Sequence, residues 1–174
     1  MKSFLPLAVL VAVPIAMPVN AQDEQVFYAS DTWPVHAAGR TCTMTQAAAN
    51  ADGRLSVSYD GTEVTLATTN SLESELPDSG KVSFAIVFLD NDQVEFDDGW
   101  GSREFAYARV GEDYRFASRF AGERNVSQIL GDLSNSRSIG LLQRGEAVMA
   151  YELADIAPSI ARLRDCAART VAAN

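Results

Sequence analysis

RLSVSYDGTEVTLAT, residues 54–68, indicates the fold class of this chain. Apolar side chains at 55, 57 and 59, and again at 64 and 66, alternate with polar ones. That period of two is typical of strands with one covered face. The dipeptide Asp60-Gly61 between the two runs favours the positive φ angles of a two-residue hairpin turn. The stretch therefore predicts two antiparallel strands joined by a tight turn.

Three further stretches follow the same plan of apolar run, turn and apolar run. They are KVSFAIVFLDNDQVEF (81–96), REFAYARVGEDYRFASRF (103–120) and RSIGLLQRGEAVMAYEL (137–153), with turns expected at 90–92, 111–113 and 144–145. The long apolar run 82–89 indicates a strand covered on both faces. Four hairpin-like units predict an antiparallel meander.

Two segments have helical rather than strand periodicity. In NVSQILGDL, Asn125 is a candidate N-cap, and four apolar residues follow at helical spacing: Val126, Ile129, Leu130 and Leu133. Near the C-terminus, Asp155 is a candidate N-cap and Pro158 fits the first turn. One apolar stripe then runs down this helix through Ile156, Ile160, Leu163, Ala167 and Val171, with Cys166 on its flank.

Two other segments are less regular. Residues 23–40 offer Phe27, Tyr28 and Trp33 to the core, and Trp33-Pro34 favours an extended or edge conformation. Residues 68–81, TTNSLESELPDSGK, have the composition of a loop.

Together these patterns predict a mainly β protein at the boundary with the α+β class. We expect an antiparallel hairpin meander that forms a sandwich or a partly open barrel, with one short internal helix and a C-terminal helix packed on it.

The first 21 residues have the features of a secretory signal peptide. Lys2 supplies the positive charge, an apolar run covers 4–19, and small residues precede a cleavage site after Ala21. A membrane anchor would need roughly 20 continuous apolar residues, whereas prolines at 6, 14 and 18 interrupt this run. We therefore expect a single domain, 22–174, that is periplasmic or secreted and has no transmembrane segment.

The chain is acidic, with 14 Lys and Arg against 23 Asp and Glu and a formal net charge of −9. The leader holds Lys2 and no acidic residue, so its removal takes away one positive charge and leaves −10. Such a charge opposes nucleic-acid binding, which requires cations against phosphate. It permits a cationic partner or a metal ion. The alternative is that the acidic surface only keeps an exported protein soluble.

The two cysteines are far apart in sequence, at Cys42 and Cys166. In an exported chain two such thiols are expected to pair. A redox pair would take CxxC spacing, and a metal site would need more Cys or His ligands than a chain with one histidine offers. We predict a structural disulfide that fastens the C-terminal helix to the TCTMT strand, where Cys42 and Met44 share an inward face.

The acidic stretch LDNDQVEFDDGW offers Asp90, Asp92, Glu95, Asp97 and Asp98 as oxygen ligands of the kind calcium takes. An EF-hand counted from Asp90 needs glycine at its sixth position and glutamate at its twelfth, where this chain has Glu95 and Gly101. A solvated turn is the favoured interpretation, and no cofactor is expected.

His36 is the only histidine, so a Ser/His/Asp or Cys/His apparatus would have to use it. It lies in WPVHAAG, without a GxSxG motif nearby, which favours a surface or strand-edge histidine. Paired carboxylates as in glycosidases remain open, because separation in space cannot be read from spacing. No catalytic residue is assigned.

FDDGWGSREF combines Trp100, flanking glycines and Arg103. An exposed tryptophan in such a loop can be a recognition surface. The alternative is a tryptophan that closes a sheet edge.

Both ends of the chain resemble known proteins. TWPVHAAGRTCTMTQ together with GEAVMAYELADIAPSIARLRDC resembles a group of small exported bacterial β-rich proteins that have an early Trp and Cys and a second Cys on a C-terminal helix. The Cys-x-Met-x-Gln of Cys42, Met44 and Gln46 is similar to the invasion-associated locus B family. The resemblance implies an exported, non-catalytic β protein, and it assigns no functional residue.

Three functions follow as hypotheses. The first is an envelope or periplasmic binding or structural protein. The second is an inhibitor or host-interaction factor that engages a cationic protein, and the third is a carboxylate-dependent hydrolase.

Overall fold

A computed structural model describes residues 24–47, 53–70, 76–89 and 100–172. The expected leader, the 90–92 turn and the acidic residues Asp90, Asp92, Glu95, Asp97 and Asp98 lie outside these ranges. The described elements are β1 (Gln25–Tyr28), β2 (Val35–Ala38), β3 (Thr41–Thr45), β4 (Arg54–Tyr59), β5 (Glu63–Asn70), β6 (Ser79–Leu89), β7 (Ser102–Val110), β8 (Asp113–Ala121), α1 (Glu123–Asn135), β9 (Ser138–Gln143), β10 (Glu146–Glu152) and α2 (Ile156–Ala172).

The described strands form one open antiparallel sheet of ten strands in the order β1-β2-β3-β4-β5-β8-β7-β6-β9-β10. The prediction of a mainly β antiparallel fold with an internal and a C-terminal helix is confirmed. Sequential strands pair as in a meander except at β5–β8 and β6–β9. There the β6–β7–β8 unit is inserted in reverse order, so that β6 pairs with β7 along one half and with β9 along the other.

The hairpin at 54–68 forms, but its turn differs from the expected one. Tyr59 and Val64 are the last residues to pair, and three residues, 60–62, connect the two strands. Gly61 has a φ of 96°, whereas Asp60 is not in the left-handed region. The Asp60 carboxylate instead accepts hydrogen bonds from the backbone N–H groups of Thr62 and Glu63, both at 2.8 Å. This local bonding lets a longer connection replace the two-residue turn.

The turn between β9 and β10 matches its prediction. Arg144 and Gly145 have φ angles of 55° and 87°, the pair of positive values that a two-residue hairpin needs. The β7–β8 turn also forms where expected, since Val110 pairs with Asp113 across it.

The sheet curls around its inner face. β5 and β10 are five strand positions apart in the sheet, a separation of about 24 Å if the sheet were flat. Even so, the hydroxyl groups of Thr68 on β5 and Tyr151 on β10 are hydrogen-bonded to each other. The indole Nε1 of Trp33, between β1 and β2, donates to the carbonyl of Ala154, just after β10, at 3.1 Å. Side chains therefore bridge the two ends of the sheet across a shared core.

The four apolar residues predicted for the internal helix are all buried in α1. Its start is earlier than predicted, because the N-cap position is Gly122. Asn125 lies inside the first turn, where its amide donates to the carbonyl of Ala121 at 3.0 Å, and its role as N-cap is therefore wrong.

Helix α2 packs against α1 and the β1–β4 part of the sheet. Its predicted stripe is buried from Ile156 to Ala167, whereas Val171 in the last turn is 45% exposed. Asp155 precedes the helix with a φ of 57°, and Pro158 lies in the first turn as predicted.

The predicted disulfide is confirmed. Cys42 on β3 and Cys166 on α2 are bonded, at a sequence separation of 124, and both side chains are fully buried. Met44 is also fully buried, so the inward face predicted for Cys42 and Met44 is correct.

Two segments predicted to be irregular contain strands. Residues 23–40 hold β1 and β2, which the sequence analysis did not identify, and Trp33 between them is 1% exposed. The expected loop 68–81 is shorter, because β5 continues to Asn70 and β6 begins at Ser79. Within the described ranges, no helix combines the length and the hydropathy required to cross a lipid bilayer.

Candidate functional site

An open cleft of about 630 Å³ lies where the β4–β5 turn, the end of β8 and both helices meet. We call it the helix cleft. Its apolar and backbone lining comes from Tyr59, Gly61, Ala121, Gly122, Val126 and Leu130. Its volume falls within the range typical of ligand pockets.

Two glycines with positive φ angles shape the entrance. Gly61 has a φ of 96°, and a Cβ added there would lie 3.1 Å from Cγ2 of Val171, because the end of α2 packs on this turn. Gly122 has a φ of 86°, and a Cβ added there would meet no atom within 4 Å. The chain thus leaves β8 and enters α1 beside open space.

The floor of the helix cleft is apolar. Val126 and Leu130, one turn apart on α1, are 8% and 1% exposed. The half-buried ring of Tyr59 adds aromatic surface, and its hydroxyl donates to the carbonyl of Gly61 at 3.0 Å. Since the hydroxyl has a partner in its own turn, the ring presents apolar surface to an occupant.

The rim carries charges of both signs. Glu63 Oε1 is 3.6 Å from Arg119 Nε, so this carboxylate has a cationic neighbour. Glu123 is in the first turn of α1, where a negative charge is favourable, and Arg164 projects from α2. Within the described part of the chain, neither Glu123 nor Arg164 forms an ion pair.

Asp60 supports the wall of the helix cleft from within the β4–β5 turn. Partial burial opposes ionisation of Asp60, but hydrogen bonds from Thr62 and Glu63 outweigh it and hold the pKa of this carboxyl below its usual range. The ionised side chain therefore stabilises the loop that carries Gly61 and Thr62.

A shallower depression continues from the helix cleft over the outer side of α1. Glu123 and Ser127 line both, and Arg124 and Gln128 complete the depression. An occupant larger than a single side chain would find continuous surface here.

The candidate metal ligands Asp90, Asp92, Asp97 and Asp98 fall outside the described residues. Among the residues that are described, no three His, Cys, Asp or Glu side chains are grouped as a metal site would require.

His36 is on β2, paired with Val26 of β1 and Thr43 of β3. It alternates with the buried Val35, so its side chain is on the opposite face of the sheet from the core. The side chain is 29% exposed, with Nδ1 3.6 Å from Oε1 of Glu24. This histidine does not line the helix cleft.

Trp100 and Arg103 are brought together, but as part of a packed cluster. The Trp100 indole donates to Asp132 Oδ2 of α1 at 2.8 Å and meets Phe120 edge-on with ring centroids 5.0 Å apart. The Arg103 guanidinium is 4.5 Å from the Phe120 ring and 5.5 Å from the Trp100 ring. These contacts tie α1 to the start of β7, and a recognition role for this surface stays a prediction.

In the sequence, Val126 and Leu130 are recognisable only as apolar residues at helical spacing, and no motif marks Glu63, Glu123 or Arg164. A glycine directly before a helix was the one local signal, since Gly122 leaves the helix start without a side-chain cap. No feature of the sequence near Gly122 predicts that α2 packs beside the start of α1.

Comparison with protein-family models, with curated proteins and with solved structures found no match to this chain.

Proposed function

We propose that this protein is an exported, non-catalytic component of the bacterial envelope that acts by binding, and that the helix cleft is its binding site. The observation that supports this proposal is the helix cleft itself, an apolar floor of Tyr59, Val126 and Leu130 beneath a charged rim. Sites of this composition hold ligands by apolar burial and use a few polar groups for selectivity.

The fold holds this site in place. One wall is α1 and the other is α2, whose register on the sheet is fixed by the Cys42–Cys166 bond. A binding surface on braced elements loses little conformational entropy when an occupant arrives. This suits recognition without a catalytic group.

Export is supported by the leader pattern at 1–21 and is consistent with the disulfide, because such bonds persist in oxidising compartments. Cell fractionation followed by intact mass measurement tests it. We expect a periplasmic or secreted chain that begins at Gln22 and has no free thiol. A cytoplasmic chain that retains Met1 would contradict export.

Binding at the helix cleft is tested by site-specific photo-crosslinking. A photoreactive residue at Ser127, which lines the helix cleft, is compared with one at Ala161, which is exposed on α2 and does not line it. In envelope extracts we expect a crosslinked product from position 127 alone. Products of equal yield from both positions, or none from 127, would contradict the assignment.

A further inference from the structure

We propose that the occupant of the helix cleft is an amphipathic, positively charged segment of a partner protein. This inference rests on the function proposed above and adds the chemistry of the partner. In such a segment an apolar side chain enters the floor, and a neighbouring Lys or Arg meets the Glu123 carboxylate.

The floor requires an apolar group. Val126 and Leu130 are already almost fully buried, so the gain on binding comes from covering the half-buried Tyr59 ring and from burying the incoming apolar side chain. Removing apolar surface from water favours binding. The continuation past Ser127 to Gln128 suits a chain segment, because it extends the contact along α1 beyond a single side chain.

The net charge of the chain favours a cationic segment, although Arg164 in the helix cleft and Arg124 in its continuation are positive charges beside Glu123. The whole chain has a net charge of −9, so its field attracts cations from a distance. At the rim, Glu123 has no cationic partner among the described residues, whereas Glu63 is already beside Arg119. Glu123 is therefore the carboxylate that an incoming Lys or Arg would meet.

Arg164 on the opposite wall makes the charge of the occupant testable. Its guanidinium repels a cationic segment, so Arg164→Glu should strengthen binding whereas Glu123→Lys should weaken it. An anionic amphiphile, held by Arg164 and the uncapped N-terminus of α1, would show the reverse pattern. The two variants therefore distinguish the two kinds of occupant.

The test measures binding of a fluorescent peptide, Gly-Lys-Leu-Lys-Phe-Lys-Gly, by anisotropy at low ionic strength with the full exported chain. Two control peptides replace its lysines with Glu, or its Leu and Phe with Ser. A fluorescent decanoate is the anionic probe. We expect the basic amphipathic peptide to bind best, because both the floor and the rim are then used.

Each variant has a matched control. We expect Glu123→Lys to raise Kd by roughly threefold to tenfold, and Glu112→Lys, the same charge change in the exposed β7–β8 turn, to have a smaller effect. Arg164→Glu should lower Kd more than Arg115→Glu, at an exposed position on β8. Melting curves verify that every variant is folded.

Two tryptophan substitutions test whether the peptide occupies the helix cleft. Ser127→Trp places an indole over the helix cleft and should abolish peptide binding, whereas Ala161→Trp should leave it unchanged. Tight decanoate binding that Arg164→Glu removes would overturn the proposal, and so would peptide binding that is indifferent to Ser127→Trp. If the peptide does not bind while position 127 still crosslinks to an envelope component, the partner chemistry is wrong and the binding function stands. If neither occurs, both proposals fall.

Discussion

Replacing both Cys42 and Cys166 with alanine should destabilise the protein by several kcal/mol without altering the fold. Both side chains are fully buried, so alanine leaves no unpaired polar group behind. The bond closes a loop between cysteines that are separated by 124 in the sequence. Its main effect is on the unfolded chain, which gains the freedom that the bond had removed.

The chain-entropy relation gives about 5 kcal/mol for a loop of this length, and measured values often fall below that figure. A loss of about 4 kcal/mol, divided by a urea dependence of about 2 kcal/mol per M, lowers the unfolding midpoint by roughly 2 M. A domain is commonly stable by only 5–15 kcal/mol, so we expect a variant that is folded but much less stable.

The assay is urea unfolding of the wild type and the Cys42→Ala/Cys166→Ala variant, each with and without reductant. Reductant should lower the midpoint of the wild type to near that of the variant and leave the variant unchanged. A wild-type midpoint that reductant does not move, or a variant as stable as the wild type, would refute the reasoning.

Three smaller predictions concern single contacts, each checked by urea unfolding. Asp60→Ala should cost about 1 kcal/mol at neutral pH. Because the pKa of Asp60 is lowered on folding, its contribution is fully present above the unfolded pKa and is lost as pH falls through the lower folded value. Wild type and variant should therefore begin to converge as pH falls below about 4, and a difference that is constant with pH contradicts this. Trp100→Phe keeps a ring against its neighbours but loses the hydrogen bond to Asp132, and it should cost about 1 kcal/mol; equal stability would mean that this bond contributes nothing. Tyr151→Phe removes the buried partner of Thr68 and should cost about 1–3 kcal/mol, and a stabilised variant would argue against the bridge across the sheet.

The patterns that the sequence revealed are local ones. The alternation around Asp60-Gly61 and the stripe that begins at Ile156 depend on neighbours within a few residues, and each produced the expected element. The disulfide was predictable from the cysteine count and the leader, without any knowledge of the strand order. The predicted N-cap at Asn125 was wrong because the helix begins earlier, with Gly122 at the N-cap position.

The features that could not be predicted depend on contacts between distant segments. The pairings β5–β8 and β6–β9 join strands that local patterning cannot match, and β1 and β2, with four residues each, are too short to show a clear alternation. The helix cleft brings together Gly61, Gly122 and Arg164: the β5–β8 pairing places the two glycines close together, and the packing of α2 adds Arg164. Its floor residues Val126 and Leu130 have the same helical spacing as any core residue.

The most direct test of binding at the helix cleft is methyl NMR of the oxidised protein during titration with the basic amphipathic peptide. Val126 and Leu130 report on the floor, while the exposed Val26 and Val110 lie on other elements and serve as internal controls. We predict saturable shifts at 126 and 130 and unchanged signals at 26 and 110. Shifts confined to Val26 or Val110, with those of Val126 and Leu130 unmoved at saturation, would contradict a binding site between the two helices.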